Sequence, residues 1–179
     1  MTDPAAVYVQ LADELRSGIV AIDGPSGAGK SVFADRLVSA LRDRGVRSVL
    51  VRTDDFATWD EPVSWWNELE TDVLQSFRRG HDYRYRPRVW RDGVAELGTR
   101  VWVRWEPLLI IEGVSSARSR IADRLTAALW LDGGTAETRL ERAVARDGEA
   151  QRQHLSRWQQ FEAGWFAIDD TRSRCQIVG

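Results

Sequence analysis

Gly18-Ile19-Val20-Ala21-Ile22-Asp23-Gly24-Pro25-Ser26-Gly27-Ala28-Gly29-Lys30-Ser31 is the stretch from which the fold of this chain is read. Its first six residues form a short apolar run and read as a buried strand. The next eight match G-x-x-x-x-G-K-[ST] in full. From Lys30 to Arg44, Val32, Phe33, Leu37, Val38 and Leu41 recur at roughly helical spacing, and Gly45 follows as a stop. Strand, glycine loop and helix is the context this motif requires. Backbone N–H groups of the loop and of the helix N-terminus then make a concave anion site. Gly24, Gly27 and Gly29 allow close backbone approach, with Ser26 and Ala28 completing the cradle. Lys30 is the only lysine among 25 basic residues. Arginine serves everywhere else, so a compact ammonium on a flexible stem is wanted at this one place. There it reaches the β- and γ-phosphates of a nucleotide.

A chain of 179 residues with a net charge of −2 fits one domain and offers no global basic field for nucleic acid. The single cysteine, Cys175, excludes an intramolecular disulfide and fits a reducing compartment. No signal-peptide pattern and no apolar run of membrane-spanning length is visible, so a cytoplasmic location is expected. The expected partner is a small-molecule substrate, not nucleic acid or a membrane; a Trp-rich middle segment permits a homo-oligomer without requiring one. Nine tryptophans are many for this length. Six fall between Trp59 and Trp105, where core packing is the favoured role and a surface for a flat substrate the alternative.

Along the chain, residues 5–17 read as a short amphipathic helix and Val46–Thr53 as a second strand ending in Asp54-Asp55-Phe56. Ser64–Arg79 reads as a helix with Ser64 as N-cap and Gly80 as stop. Residues 82–105 read as a small antiparallel excursion, Tyr83-Arg84-Tyr85 facing Trp102-Val103-Arg104-Trp105 around Asp92-Gly93 and Gly98. Leu108–Glu112 is an apolar strand ending in Glu112-Gly113. Helices are expected over 116–126, 135–147 and 151–165, and strands at Ala128–Leu131 and Cys175–Val178. Strands alternating with helices give an α/β fold with a parallel sheet and helices on both faces. Ligands bind at the carboxyl ends of such strands. Three of those ends carry candidate chemistry: the glycine loop, Asp54-Asp55 and Glu112-Gly113.

Phosphoryl transfer needs cradled phosphates, Mg²⁺, a positioned acceptor and positive charge on the moving group. Ser31 is the expected Mg²⁺ ligand, and Glu112 fits the carboxylate that holds metal-bound water. Asp54 is the better candidate for accepting the proton of an attacking hydroxyl, with Asp55 the fallback; Asp also caps turns and helices. Arg139, Arg142 and Arg146 lie three and four apart and share one helix face. That face is either a solvated charged surface or a helical lid, at about 135–150, closing on the nucleotide.

Together these segments resemble the uridine kinase-like branch of the phosphate-loop small-molecule kinases, which includes phosphoribulokinase relatives. The likeness is carried by Gly24–Ser31, Thr53-Asp54-Asp55-Phe56, Ile110-Ile111-Glu112-Gly113-Val114 and Glu137–Asp147, in order over residues 18–147. It implies the three-layer P-loop NTPase fold, with a mostly parallel five-stranded sheet. It also implies transfer of the γ-phosphate of ATP or GTP to a hydroxyl. Asp54 would be the base, Lys30 and the arginines 139, 142 and 146 would meet phosphates, and Ser31 and Glu112 would surround Mg²⁺. Asp55, Phe56, His81, Tyr83 and Arg86 would lie toward the acceptor, since His81–Arg88 resembles the nucleoside-contacting segment of uridine kinases. The chain departs from that segment: the family has an aromatic near His81 and a histidine near Arg86. Arg84, Arg86 and Arg88 would also suit an anionic or sugar-phosphate acceptor. Rival readings at this level are a kinase of an unrelated hydroxylated compound, a nucleotide-binding switch, and a binding protein without catalysis. An Asn-Lys-x-Asp guanine motif is absent, because Lys30 is the sole lysine.

Overall fold

A computed structural model describes residues 4–60, 62–91 and 94–178; Asp92-Gly93, around which the excursion was expected to fold, lies outside the described residues. From the amino end, α1 (Pro4–Glu14) precedes β1 (Gly18–Asp23), α2 (Lys30–Asp43) and β2 (Ser48–Arg52). A helical stretch follows in three consecutive segments: α3 (Trp66–Leu69), a π-helical turn (Glu70–Leu74) and α4 (Gln75–Arg78). Next come four short strands, β3 (Tyr83–Tyr85), β4 (Arg88–Arg91), β5 (Val94–Leu97) and β6 (Val101–Val103), and then β7 (Leu108–Glu112). The chain continues through β8 (Ala127–Trp130), α5 (Ala136–Asp147), α6 (Arg152–Asp169) and β9 (Gln176–Ile177).

Five strands form one sheet in the order β2-β7-β1-β8-β9, and every pairing in it is parallel. The sheet expected to be mostly parallel is thus wholly so. Side chains alternate across it with the period of two that a strand imposes. Val20, Ile22, Leu108 and Ile110 pack with Leu11, Phe33, Leu37 and Leu41 of α1 and α2. Ile19, Leu109 and Ile111 face the other way, onto Trp66, Leu69, Val73 and Phe77 of the segmented helix. The sheet is therefore covered on both faces, which is why β7 is five consecutive buried residues. The connection from β1 through α2 carries the chain past β7 to the edge strand β2, whereas β8 lies on the opposite side of β1. Their divergence leaves a crevice at the carboxyl end of β1, where the glycine loop sits.

The excursion pairs as expected, with Tyr83 opposite Val103 and Tyr85 opposite Val101, and β4 and β5 add a second antiparallel pair. Gly80, at φ +73, stops α4, and the His81 N–H donates to the Ser76 carbonyl at 3.1 Å. Two local expectations need correction. The helix expected from Ser64 starts at Trp66, with no side-chain cap. Residues 62–65 instead turn so that the Trp65 indole donates to the Pro62 carbonyl at 2.7 Å and both Trp65 and Trp66 are buried. The helix expected over 116–126 is a 3-10 segment, Ser119–Arg124. Its approach is pinned away from α-helical pairing: the Ser115 and Ala117 N–H groups donate to Asp23, and Arg118 donates to the carbonyls of Ser115 and Val63.

Most tryptophans are packing residues. Trp65, Trp66 and Trp165 surround the buried Arg118 guanidinium, 4.5 to 5.3 Å from their ring centroids. Trp130 meets Phe166 edge-on at 4.8 Å, and the Trp105 indole donates to the Phe77 carbonyl at 3.0 Å. Trp102 is 67% exposed. The remaining three, Trp59, Trp90 and Trp158, meet beside the crevice.

Candidate functional site

The loop after β1 bends where only glycine is at ease. Gly24, Gly27 and Gly29 stand at φ +137, +74 and +91. A Cβ on Gly27 would fall on the Arg139 backbone carbonyl, so α5 packs directly on the loop. Lys30 opens α2, is 7% exposed, and donates from Nζ to the Pro25 carbonyl at 2.9 Å. The ammonium thus lies inside the curl of the loop.

Three buried carboxylates surround it. Asp23 ends β1 and accepts from the N–H groups of Gly24, Ser115 and Ala117 at 2.7, 3.0 and 2.8 Å. Burial pushes its carboxyl up to about 6, against the pull of those donors and of Lys30. Glu112 ends β7; Ser31 Oγ donates to it at 3.3 Å, and Arg52 Nε lies 3.3 Å from its other oxygen. Burial raises its pKa, opposed by Lys30 and Arg52 and reinforced by the charge of Asp54. Glu162, on α6, accepts from the Ser26 N–H at 2.9 Å and from the Ser26 hydroxyl. Glu162 is 1% exposed, and burial raises its pKa against Lys30 and the Ser26 donors. One ammonium among three carboxylates leaves a local excess of negative charge, which suits a divalent cation. Among the described residues no group of three or more His, Cys, Asp or Glu side chains stands ready as a metal cage. Ser31 and Glu112 fit Mg²⁺ in its usual manner, with one carboxylate and one hydroxyl supplemented by phosphate and water.

Beyond the loop lies a cleft of about 600 Å³, whose lining includes Ser26, Asp54, Trp59, Trp90, Arg146 and Trp158. Asp54 and Asp55 sit in a 3-10 turn, Thr53–Asp55, at the carboxyl end of β2. They diverge: Asp54 lines the cleft, whereas Asp55 accepts from the Tyr85 hydroxyl at 2.7 Å. Burial raises the Asp55 pKa, with Tyr85 opposing. Phe56 is buried and stacks on Tyr85, with ring centroids 5.1 Å apart.

The three arginines of α5 have different partners. Arg139 donates to the carbonyls of Asp132 and Gly134, and Arg142 to those of Gly27 and Gly133 at 2.7 and 2.6 Å. Arg146 lines the cleft and makes two bonds to Asp147, at 2.6 and 2.7 Å. Thr135 caps the start of α5 by accepting from the Thr138 N–H.

The structure thus brings the loop, Lys30, Ser31, Glu112, Asp54 and Arg146 together. It places His81 at the exposed end of α4, Tyr83 in the core below the sheet, and Arg86 against the Gly98 carbonyl at 3.0 Å. None of these three is among the residues lining the cleft. Sequence reading did not single out Glu162, Trp158 or Gln151. A signal existed for Glu162: Leu155, Trp158, Glu162 and Trp165 follow three-four-three spacing, so a carboxylate occupies the inward face of α6.

No family model and no curated protein matches the sequence. Solved structures do match. A protein described as a "Possible Uridine Kinase" from Bacillus stearothermophilus superposes with a TM-score of 0.70 at 15% identity, covering 98% of this chain and 96% of that one. A candidate fructose transport system kinase from Silicibacter sp. TM1040 gives 0.63 at 18%, covering 94% and 96%. Phosphoribulokinase from Rhodobacter spheroides gives 0.61 at 16%, covering 89% and 68%. At these identities the likeness speaks for the fold. The chain has the three-layer P-loop NTPase fold, in the form that these three kinase-described proteins share.

Proposed function

We propose that this chain is a small-molecule kinase that transfers the γ-phosphate of ATP, or of GTP, to a hydroxyl of a nucleoside or similar metabolite. The observation that carries the reading is the convergence of Ser26 of the phosphate loop, Asp54 and Arg146 on one cleft large enough for a small acceptor. Loop N–H groups and Lys30 hold the nucleotide phosphates. Ser31 and Glu112 would hold Mg²⁺, which would supply positive charge to offset that of the phosphates. The acceptor oxygen attacks the γ-phosphorus, an O–P bond forms, and the bond from that phosphorus to the β–γ bridging oxygen breaks. Asp54 takes the hydroxyl proton, and the nucleoside diphosphate leaves with the bridging oxygen. Asp54 suits this role better than Asp55, whose oxygen is already engaged by Tyr85. Arg146, which lines the cleft, would meet charge spreading onto the moving phosphoryl group, releasing Asp147 as it does so.

Release of ADP from ATP, measured with nucleosides, sugars and sugar phosphates in turn, tests the proposal. Release that depends on one class of acceptor supports it. Nucleotide hydrolysis indifferent to every acceptor would instead favour a nucleotide-binding switch.

A further inference from the structure

Phosphoryl transfer through Asp54, Lys30 and Arg146 gives no task to Glu162, the carboxylate buried against the phosphate loop. Four consecutive loop residues are each held by a side chain from a different element. Gly24 donates its N–H to Asp23 of β1, and the Pro25 carbonyl accepts from Lys30 of α2. The Gly27 carbonyl accepts from Arg142 of α5. Ser26 gives both its donors to Glu162 of α6, the N–H to one oxygen at 2.9 Å and the hydroxyl to the other. Of the four, Ser26 is the one that lines the cleft with Asp54 and Arg146. Its grip comes from 136 residues away in the chain. Apolar contact does not explain that grip. Of the 18 residues of α6, Leu155 and Glu162 are the buried ones, and Glu162, at 1% exposed, is the more enclosed. A helix that needed only to pack would present an apolar side chain there, because burying a carboxylate is costly. Two bonds to one carboxylate fix both the backbone and the hydroxyl of Ser26, where a single bond would leave one of them free to turn. The other groups that hold phosphates, Lys30 and Ser31, begin α2 and owe nothing to α6. Loss of Glu162 therefore changes the direction of the loop at the cleft more than its hold on a nucleotide.

Resting on the kinase reading above, we propose that Glu162 is a positioning residue for phosphoryl transfer: it sets Ser26, and through Ser26 it aims the γ-phosphate at the acceptor beside Asp54. It does so by geometry, as a paired acceptor, and not by its charge. With Arg142 on the neighbouring Gly27, it also ties α5 and α6 to adjacent residues of the loop, so that lid and loop share one alignment.

Three substitutions separate geometry from charge. Glu162→Met is similar in length and removes both acceptors. Glu162→Asp keeps the charge but falls one methylene short of Ser26, and it carries the test if the Met variant does not fold. Glu162→Gln loses the charge but can restore the pair: its carbonyl accepts from the Ser26 N–H, and its N–H₂ donates to the Ser26 hydroxyl. Met and Asp should each lower kcat ~10–100-fold with KM for ATP nearly unchanged, the scale of a small misplacement felt in the transition state, and Gln should recover most of the loss. Phosphorus NMR of bound Mg-ATP reads the same alignment without turnover. The γ resonance should move in the Met and Asp variants and return in Gln. A γ resonance that follows Glu162 in this way, in a chain that transfers phosphate to no acceptor, would uphold the inference and defeat the kinase reading. Transfer to an acceptor with a γ resonance and kcat blind to all three substitutions would do the reverse. A fall in Tm alone, a native-like Asp variant beside a Gln variant as poor as Met, or tighter ATP binding by the Met variant would each overturn the inference: the first makes Glu162 structural, the second makes its charge the working part, and the third makes it a stopper on the loop.

Discussion

Replacing Asp23 by Asn tests how the loop is anchored. Asp23 is fully buried, and it ties the start of the phosphate loop to the segment after β7 through three backbone donors. Burial outweighs those donors and lifts its carboxyl from 3.8 to about 6. Below the lower value both folded and unfolded chains hold the proton. Between the two values only the folded chain keeps it, so stability falls as pH rises through this window. At about 1.4 kcal/mol per pH unit, the window corresponds to ~3 kcal/mol. Asn does not titrate, but it turns an N–H₂ toward donors and costs about 1–3 kcal/mol at all pH values. The advantage of the native chain over Asp23→Asn should therefore be largest in acid and shrink by ~3 kcal/mol toward neutrality. For a chain of this size that is a change of ~6–12 °C in the difference between their Tm values. Thermal denaturation of both proteins, followed by circular dichroism across the window, measures it. Glu112 and Glu162 are raised in the same sense, but they are present in both chains and largely cancel in the difference. Parallel Tm curves would refute the reasoning. A native advantage that grows with pH would show that the three donors, and not burial, govern the carboxyl.

Further expectations concern the loop and α5. Gly27→Ala should cost about 1–2 kcal/mol for its left-handed backbone alone, and displacement of Arg139 should add to it; calorimetry should find both Tm and ATP affinity reduced. Lys30→Met should remove phosphoryl transfer in the ADP-release assay. It should also lower Tm more at about pH 8 than at about pH 5, because loss of the ammonium raises three buried carboxyls further. Arg146→Ala should lower kcat ~100-fold with little change in Tm, whereas Arg142→Ala, which loses two carbonyl contacts, should show up first in Tm. Equal effects of the two on kcat would contradict the separate roles read from their partners.

The fold was legible because its signals are local and periodic. The run 18–23, the glycine loop and the helical spacing of 30–44 fix one βα unit, and the run 108–112, apolar up to its closing Glu112, reads as a strand. Expectations failed where a distant side chain overrides local pattern. Asp23 captures the N–H groups of residues 115 and 117, and no pattern within 116–126 reveals that. The three-and-four spacing of Arg139, Arg142 and Arg146 placed them on one face, but only packing of α5 on Gly27 separates two carbonyl clamps from one arginine at the cleft. The meeting of three tryptophans beside the crevice was hidden for the same reason. Trp59, Trp90 and Trp158 lie far apart in sequence, on a loop, a strand and a helix, and in sequence they look no different from the tryptophans around Arg118.

The most direct test follows the fate of the phosphoryl group itself. ATP carrying a radiolabelled γ-phosphate is incubated with the protein, Mg²⁺ and a mixture of nucleosides, and the labelled products are separated. Expected is label on an acceptor hydroxyl with the native chain, reduced ~10²–10⁴-fold in Asp54→Asn while ATP binding persists. Label found only in inorganic phosphate, or full transfer by Asp54→Asn, would contradict a kinase that uses Asp54 as its base.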